Sequence, residues 1–194
     1  MKLLGGIILK TIESDRLILR SWKEEDYLDL HEFISDPRVE HSAGCPVIKD
    51  IEVSKEIIKI YTLYNQCYAI VLKGENKVIG SIGMDNVTPD NSLKNLNQRY
   101  LGYTINPNYW GKGYAPEAFN MLLIYLFEEK NIDLIWSSHY DFNIKSKRVI
   151  EKAGLNYKFS RKKSLKALDG KIVEEAFYNL FKEEYILKGK NYRG

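Results

Sequence analysis

The stretch "NYWGKGYAPEA", Asn108–Ala118, places two glycines on either side of a lysine, directly before an apolar helical pattern. Residues that lack a Cβ let an anion approach the backbone. The N-terminus of a helix offers that anion free N–H groups and the positive end of the helix dipole. Pro116 suits the first helical turn, where its missing N–H costs nothing. The stretch therefore predicts a phosphate-binding turn between a strand and a helix.

Other phosphate-binding patterns do not fit this turn. The P-loop pattern is absent, and the dinucleotide-binding pattern fails at its third glycine, where Pro116 stands. The dinucleotide pattern also needs an acid at the end of the next strand, whereas Asp133 lies near the beginning of that strand. Glu117 is interpreted as a partner of the helix dipole and not as a catalyst. A tight turn that binds nothing would need the same two glycines, so neighbouring residues must identify the ligand.

Length and composition indicate one ordinary globular domain. The chain has 194 residues, of which 44% are hydrophobic and 28% charged. Cys45 and Cys67 have no metal-ligand or redox spacing, no metal site is expected, and such sparse cysteine usage fits the cytoplasm. No apolar run approaches the roughly 20 residues of a membrane span. Residues 1–10 are interpreted as an N-terminal extension or an added edge strand, residues 11–187 as the domain, and 188–194 as a C-terminal tail.

Apolar periodicity on both sides of the turn predicts alternating strands and helices. The predicted strands are 16–20, 67–73, 77–84, 99–105, 132–139, 155–163 and 172–181. The predicted helices lie within 23–37, where Pro37 marks the end, and over about 51–65, 115–129 and 143–154. The polar residues 88–98 are predicted to form a loop. This order predicts a mixed sheet with helices on its faces.

Positive charge is concentrated in one segment of the chain. Residues 140–171 contain ten Lys or Arg and three Asp or Glu, a local charge of +7, which leaves 3 − 7 = −4 for the rest. Such a segment can hold a polyanionic ligand, an acidic protein or a nucleic acid, and it can equally be a solvated hairpin. Its aromatic residues do not interleave with the basic run as a stacking platform for bases requires. Nucleic acid is therefore not the expected partner.

The glycine turn and its surroundings resemble one protein family across most of the chain. "GYTINPNYWGKGYAPEA", residues 102–118, is similar to the pyrophosphate-binding segment of the GNAT N-acetyltransferase superfamily. "ESDRLILRSW", "EEDYLDLHEFISDPRV", "DFNIKSKRVIEKAGL" and "YNLFKEEY" resemble the RimJ/RimL-type branch, which acetylates the N-termini of ribosomal proteins. These segments follow in order from about residue 11 to 185. The resemblance implies a single-domain α/β fold. Its mixed, mostly antiparallel sheet splays between two parallel strands, with helices on both faces.

The resemblance also implies acetyl-CoA as co-substrate, bound in the opening between those two strands. The implied pyrophosphate cradle consists of the backbone amides of Gly111, Lys112, Gly113, Tyr114 and Ala115. Thr104 and Ile105 would offer their backbone to the pantetheine arm, as an added strand would. The family's usual Arg or Gln is replaced by Asn108, which puts one phosphate contact in doubt.

Further cofactor contacts are implied at the start of the next helix. Asn143 and Ser146 match the family's "N-x-x-S", with Asn143 near the pantetheine and Ser146 near the sulfur. Asn143 can also be a simple helix N-cap. Lys147 and Arg148 are placed to meet the adenosine phosphates, which gives the basic segment a function.

The chemistry needs a neutral amine, and the sequence names no base for it. Relatives carry a carboxylate before the "GY" of the fourth strand or on the strand after the last helix, and both positions lack one here. Ser146 is predicted to be the general acid, and Tyr100 to hold water or relay a proton. Glu40 and His41 are predicted to face the acceptor pocket.

The predicted function is transfer of an acetyl group from acetyl-CoA to a primary amine by a cytoplasmic enzyme that is a monomer or homodimer. A protein N-terminal α-amine is the favoured acceptor, because its pKa of about 8 leaves it partly neutral without a base. The alternatives are acetylation of a small-molecule amine (an amino acid, a polyamine or an antibiotic) and a non-catalytic acyl-CoA-binding module.

Overall fold

Eight strands form one sheet in the computed structural model, which describes residues 9–189. They lie in the order β1-β2-β3-β4-β5-β6-β8-β7. The strands are Ile12–Glu13 (β1), Leu17–Arg20 (β2), Cys67–Leu72 (β3), Lys77–Asp85 (β4), Gln98–Ile105 (β5), Leu134–Tyr140 (β6), Asn156–Leu165 (β7) and Lys171–Phe181 (β8). Every neighbouring pair is antiparallel except β5 and β6, which are parallel.

Within residues 9–189, six α-helices cover the two faces of this sheet. They are Tyr27–Ile34 (α1), Pro37–Ala43 (α2), Ile51–Tyr64 (α3), Tyr114–Ile124 (α4), Ile144–Lys152 (α5) and Lys182–Lys188 (α6), and α4 continues as a π-helical turn, Tyr125–Glu129. One apolar core lies between the sheet and α4 to α6. A second lies under α1 to α3, and a third, centred on Trp136, lies beside it on the same face, under the loop between β4 and β5.

The first helix ends before Pro37, as predicted, because α1 stops at Ile34. The sequence prediction missed α2, which this proline begins: Pro37 occupies its first turn, and the Asp36 carboxylate caps it by accepting from the Arg38 N–H at 2.8 Å. A proline at this position has no N–H to leave unpaired, so it begins a helix as readily as it ends one. The short strand β1 and the helix α6 were also missed, because two and seven residues carry little periodicity.

The predicted splay between two parallel strands is confirmed. β5 and β6 pair only over three residues, Gln98–Tyr100 against Leu134–Trp136. Beyond them, β5 stays paired with β4 as far as Ile105 and β6 stays paired with β8 as far as Tyr140. The two strands therefore diverge inside a sheet that is otherwise continuous, and this fork positions the site.

Two sequence predictions, the N-terminal extension and the C-terminal tail, fall mostly outside the residues that the structure describes. Residues 1–8 and 190–194 lie outside the described residues, and they include most of the predicted N-terminal extension and C-terminal tail. Within residues 9–189, no helix is long and apolar enough to cross a membrane.

Candidate active site

A cleft of about 1070 Å³ opens where β5 and β6 diverge, and it passes through the sheet from one face to the other. We call the side lined by residues 110–116 and 143–152 the α4 half. The side lined by α2, α3 and the sheet face beneath them is the α3 half. The strand alternation sends Tyr100, Gly102 and Thr104 to the α3 half, and Leu101 and Tyr103 to the α4 half.

The backbone of β5 turns the polar groups of alternate residues towards the fork. The Leu101 carbonyl accepts from Ser137 Oγ across the fork at 2.8 Å, and the Ile105 carbonyl accepts from Trp110 Nε1 at 2.7 Å. Because backbone groups of alternate residues point the same way, the N–H and C=O of Tyr103 face the opening. The Thr104 carbonyl points instead towards β4, since a Cβ on Gly80 would approach it to 2.3 Å. Of the predicted pair, Thr104 therefore faces the neighbouring strand, and the Ile105 carbonyl already has a partner.

The turn before α4 depends on its two glycines. Gly111 has φ 77° and Gly113 has φ 81°, backbone conformations that other residues adopt at a cost of roughly 1–2 kcal/mol. A Cβ on Gly111 would have no atom within 4 Å, so the space in front of the turn is open. Both glycines line the cleft, together with Tyr114 and Ala115. These four members of the predicted cradle are brought together at the N-terminus of α4.

The orientation of the Lys112–Gly113 peptide is fixed by Arg16. Arg16 Nη1 donates to the Lys112 carbonyl at 3.1 Å, and its Nε donates to a Glu117 oxygen at 2.7 Å. Its guanidinium also lies 4.7 Å from the centre of the Tyr114 ring. The C=O and N–H of a trans peptide point in opposite directions, so the Gly113 N–H is turned away from Arg16. Gly113 itself lines the cleft. Glu117 therefore holds this arginine in addition to any effect on the helix dipole.

The start of α5 brings two predicted residues to the cleft. The Asn143 side chain caps the helix, with Oδ1 accepting from the Ser146 N–H at 3.0 Å, while its Nδ2 donates to the Ser42 carbonyl at 2.8 Å. Both polar atoms of this side chain thus have protein partners. The Tyr103 hydroxyl donates to Ser146 Oγ at 3.2 Å. Burial raises the pKa of Tyr103 to about 12, so this phenol keeps its proton at neutral pH.

The cations of α5 that reach the cleft are not the predicted pair. Lys145, Arg148 and Lys152 line it, spaced three and four residues apart on one helix face. Lys147 lies off that face, with its Nζ 3.8 Å from Glu151. Helical periodicity could have identified Lys145 and Lys152, because positions i, i+3 and i+7 share a face. Lys112 was predicted to contribute only its backbone amide, and its side chain lies with Nζ 5.0 Å from the centre of the Tyr109 ring.

The floor of the α3 half is bare. Gly83 and Gly102 lie directly opposite each other in the β4–β5 ladder. A Cβ on Gly102 would have nothing within 4 Å, and one on Gly83 would lie 3.6 Å from the Gln66 carbonyl oxygen. The next pair along the ladder on this face is Asp85 opposite Tyr100. The glycines therefore leave a slot at the fork, with polar side chains at its end.

The walls of this slot come from α2 and α3, but not from the predicted residues. Ser42 and Ala43 line the cleft at the end of α2. Glu40 Oε1 instead accepts from the Val47 N–H at 3.3 Å and holds the loop after the helix. His41 is exposed, with its ring 6.1 Å from that of Phe142. Glu40 and His41 therefore lie outside the cleft that they were predicted to line.

Two carboxylates that the sequence reasoning missed line the α3 half, Asp85 and Glu175. Burial raises the pKa of Asp85 above its ordinary value. Glu175, on β8, accepts from Ser138 Oγ at 2.6 Å, and Ser138 is also hydrogen-bonded to the Tyr100 hydroxyl. Burial raises the pKa of Tyr100 to about 12. No sequence pattern identifies Glu175, because its place depends on the register between β6 and β8.

The acids and thiols of the described residues do not form a metal site. No group of three or more His, Cys, Asp or Glu side chains within residues 9–189 could hold a metal ion. Both cysteines are free thiols at the cleft, and burial raises the pKa of Cys67 to about 12.

A family model described as an acetyltransferase (GNAT) domain matches residues 16–156. The chain belongs to the GNAT acetyltransferase family. The uncharacterized N-acetyltransferase p20 of Bacillus licheniformis is 26% identical to it, over 91% of this chain and 99% of p20. A GNAT-family acetyltransferase structure from Bacillus anthracis has a TM-score of 0.79 and 26% identity, covering 90% of this chain and 100% of that one.

At lower identity, the fold matches a structure of the microcin C7 self-immunity acetyltransferase MccE in complex with acetyl-CoA and AMP. The TM-score is 0.72 and the identity 18%, over 87% of this chain and 93% of MccE. An identity this low shows a shared fold alone.

Proposed function

We propose that this protein transfers an acetyl group from acetyl-CoA to a primary amine, and that the acceptor is the α-amine of a peptide. The observation that carries the proposal is the fork between β5 and β6, which joins an anion-binding half and an acidic half in one cleft. An acetyltransferase needs its two substrates to meet from opposite sides, and this cleft passes through the sheet.

The α4 half fits acetyl-CoA. The space in front of Gly111 is open, and the N–H of Gly113, at a helix N-terminus, is turned away from Arg16, which suits a pyrophosphate. Lys145, Arg148 and Lys152 would meet the remaining phosphates. Bound acetyl-CoA supplies a thioester carbonyl, which the amine attacks.

The residues at the fork fit the charges that develop during this attack. The backbone N–H of Tyr103 faces the opening and would donate to the carbonyl oxygen as negative charge builds on it. Ser146 Oγ accepts from the Tyr103 hydroxyl, so its own proton is free to be donated towards the departing sulfur. Ser146 is therefore the proposed general acid, and Tyr103 orients it.

A peptide acceptor is favoured by the mouth of the α3 half. The bare floor at Gly83 and Gly102 admits a narrow chain, and the carboxylates of Asp85 and Glu175 suit an ammonium group. Outside, Ile60 is 51% exposed and Tyr64 is 65% exposed, and both line the cleft. Exposed apolar side chains around a pocket are typical of a surface that contacts more than a small amine. The similarity of sequence segments to the RimJ/RimL-type branch points the same way.

The test measures acetyl-CoA turnover, detected as release of free thiol. The acceptors are a panel of peptide α-amines, lysine side chains, polyamines and aminoglycoside-type amines. We expect peptides with a free α-amine to be the best acceptors and mass spectrometry to find one added acetyl group. A better rate on a small polyamine would transfer the proposal to the small-molecule alternative. Tight acetyl-CoA binding without turnover on any amine, or on whole-cell extract, would identify a non-catalytic acyl-CoA-binding module.

A further inference from the structure

We propose that Glu175 is the base of this enzyme, and that it takes the proton of the acceptor ammonium through Ser138 and Tyr100. The inference rests on the proposed function, because it assigns the proton transfer that acetylation of an amine requires. It supplies a carboxylate where neither family position holds one.

The hydrogen bonds that link Tyr100, Ser138 and Glu175 have directions that follow from the number of hydrogens each side chain carries. Ser138 Oγ carries one hydrogen, and it donates that hydrogen to Glu175 Oε1 at 2.6 Å. The bond between Ser138 and Tyr100 must therefore be donated by the Tyr100 hydroxyl. The phenol has then used its only hydrogen, and the lone pairs of its oxygen are left to accept from a group in the cleft. The N–H of an ammonium group is the donor that completes this series of hydrogen bonds.

The fork explains why these three side chains meet. Tyr100 is the last β5 residue that pairs with β6, opposite Trp136, and Ser138 lies two residues further along the same face. Glu175, on β8, pairs with Tyr140 of β6. It is therefore a diagonal cross-strand neighbour of Ser138 on the same face of the sheet. Because β5 has already turned away, the cleft lies over Tyr100 and Ser138, and Glu175 also lines it. The relay thus begins at the apex of the fork.

The charged groups around Glu175 do not occupy Oε1, the carboxylate oxygen that accepts from Ser138. Lys163 Nζ lies 3.5 Å from Oε2 and 3.5 Å from the Tyr140 hydroxyl, on the side away from Ser138. Arg161 is the register partner of Glu175 on β7, but its guanidinium stacks 4.7 Å from the Phe159 ring and donates to the Pro89 carbonyl at 2.6 Å.

A second carboxylate lies on the far side of Tyr100. Asp85 stands opposite this tyrosine on β4 and raises its pKa, as Glu175 does, although burial is the main cause of the shift. The Tyr100 phenol therefore remains protonated between two acids. It can pass a proton only by receiving another one, which is what a relay requires.

The proton of the acceptor ammonium reaches Glu175 through three coupled transfers. An N–H bond of the ammonium breaks and an O–H bond forms on Tyr100, while the original Tyr100 proton moves to Ser138 and the Ser138 proton moves to Glu175. The nitrogen lone pair is then free to attack the thioester carbonyl. When the tetrahedral intermediate collapses, Ser146 gives its proton to the departing thiolate and takes the second amine proton in its place. The proton on Glu175 returns to solvent after the acetylated product leaves.

The experiment compares Glu175→Gln with Glu174→Gln on the best acceptor of the amine panel, starting with an alanine dipeptide. Glu174 is the matched control because it is the next residue of β8, faces the opposite side of the sheet and bonds Ser160 there. At pH 7 an α-amine of pKa about 8 is only about 10% neutral. We expect kcat/KM of Glu175→Gln to fall about tenfold or more at pH 7. The gap should narrow towards pH 9, where the amine deprotonates unaided, while Glu174→Gln follows the wild type.

The pH profile separates a base from a structural role. A structural loss would lower activity equally at every pH, and calorimetry would show weaker acetyl-CoA binding. Ser138→Ala should give the same pH-dependent loss, and it tests the relay should Glu175→Gln fold poorly. Equal kcat/KM profiles for wild type and Glu175→Gln would overturn the relay and leave the acetyltransferase function intact. A wild type that acetylates no amine would overturn the proposed function and the relay with it.

Discussion

The α4 half of the cleft takes its chemistry from backbone geometry, whereas the α3 half takes it from side chains that several elements contribute. In the α4 half, two left-handed glycines and one helix N-terminus lie within a few residues of each other. In the α3 half, Asp85, Tyr100, Ser138 and Glu175 come from four strands, β4, β5, β6 and β8. A local turn can be inferred from one segment, but a site assembled by strand register cannot. The two halves should also fail differently when they are mutated.

The largest expected effect is on the backbone-built half. Gly113→Val forces a branched residue to φ 81° and places its side chain at the turn that would hold the pyrophosphate. Losing two charge-assisted hydrogen bonds should weaken acetyl-CoA binding about 100-fold. Calorimetry measures the loss. Gly170→Val is the matched control, because Gly170 has φ 78° in the β7–β8 connection and suffers the same backbone strain away from the cleft. Equal weakening in both variants would mean that strain alone explains the result.

In the α3 half, we expect a substitution to slow the reaction with the amine and to leave acetyl-CoA binding unchanged. Gly102→Val fills the bare floor, and its Cβ has open space around it, so the fold tolerates it. We expect kcat/KM for the amine to fall about 30-fold, as overpacking by about 2 kcal/mol implies, with acetyl-CoA affinity unchanged. Gly74→Val, at an equally open position in the β3–β4 turn, should behave like wild type. A loss of acetyl-CoA binding in Gly102→Val would show that the two halves are not independent.

A smaller effect is expected where the two halves meet. Ser146→Ala removes the proposed proton donor to the departing sulfur and should lower kcat about tenfold, with little change in acetyl-CoA binding. The effect is modest because a thiolate leaves tolerably without a proton. Tyr103→Phe removes the hydroxyl that donates to Ser146 and should reduce kcat less than Ser146→Ala. Steady-state kinetics with saturating acetyl-CoA measures both, and an unchanged kcat in Ser146→Ala would remove this serine from the mechanism.

The smallest effect should come from the exposed cations of α5. Arg148→Gln should reduce the preference for CoA over dephospho-CoA about threefold at low salt, since exposed ion pairs contribute less than about 1 kcal/mol and are screened by salt. Lys147→Gln, the matched control on the next residue, should leave the preference unchanged because Lys147 lies off the cleft. Titration of both variants with the two ligands measures the difference. A loss in Lys147→Gln of equal size would restore the pairing first predicted from sequence.

These comparisons also show what the sequence could predict. The glycine turn, the strand before it and the helix after it were all predicted, because each depends on residues within one short segment. The fork was predicted only through family resemblance, since no periodicity reports where two strands stop pairing. Glu175 was missed because only the β6–β8 register brings it to Ser138.

Two further errors had local causes. Pro37 was interpreted only as the end of the first helix, and α2, which it begins, was missed, so Glu40 and His41 lacked the helix that turns them away from the cleft. Lys147 was predicted together with Arg148 from the family resemblance, whereas the helix places Lys145 and Lys152 on the face that Arg148 occupies. In both cases the missing information was the direction of side chains on a helix, which sequence adjacency does not give.

The hydrogen bonds of Arg16 to Lys112 and Glu117 affect the order in which this protein folds. Its hydrogen bond to Lys112 joins residues 96 positions apart, and its bond to Glu117 joins residues 101 positions apart. During synthesis, Arg16, which lies between β1 and β2, must therefore wait for more than half of the chain before its partners exist. Contacts between such distant residues form late and slowly. Affinity for acetyl-CoA should consequently appear at the end of refolding, so a fluorescent CoA analogue would report completion of the native sheet.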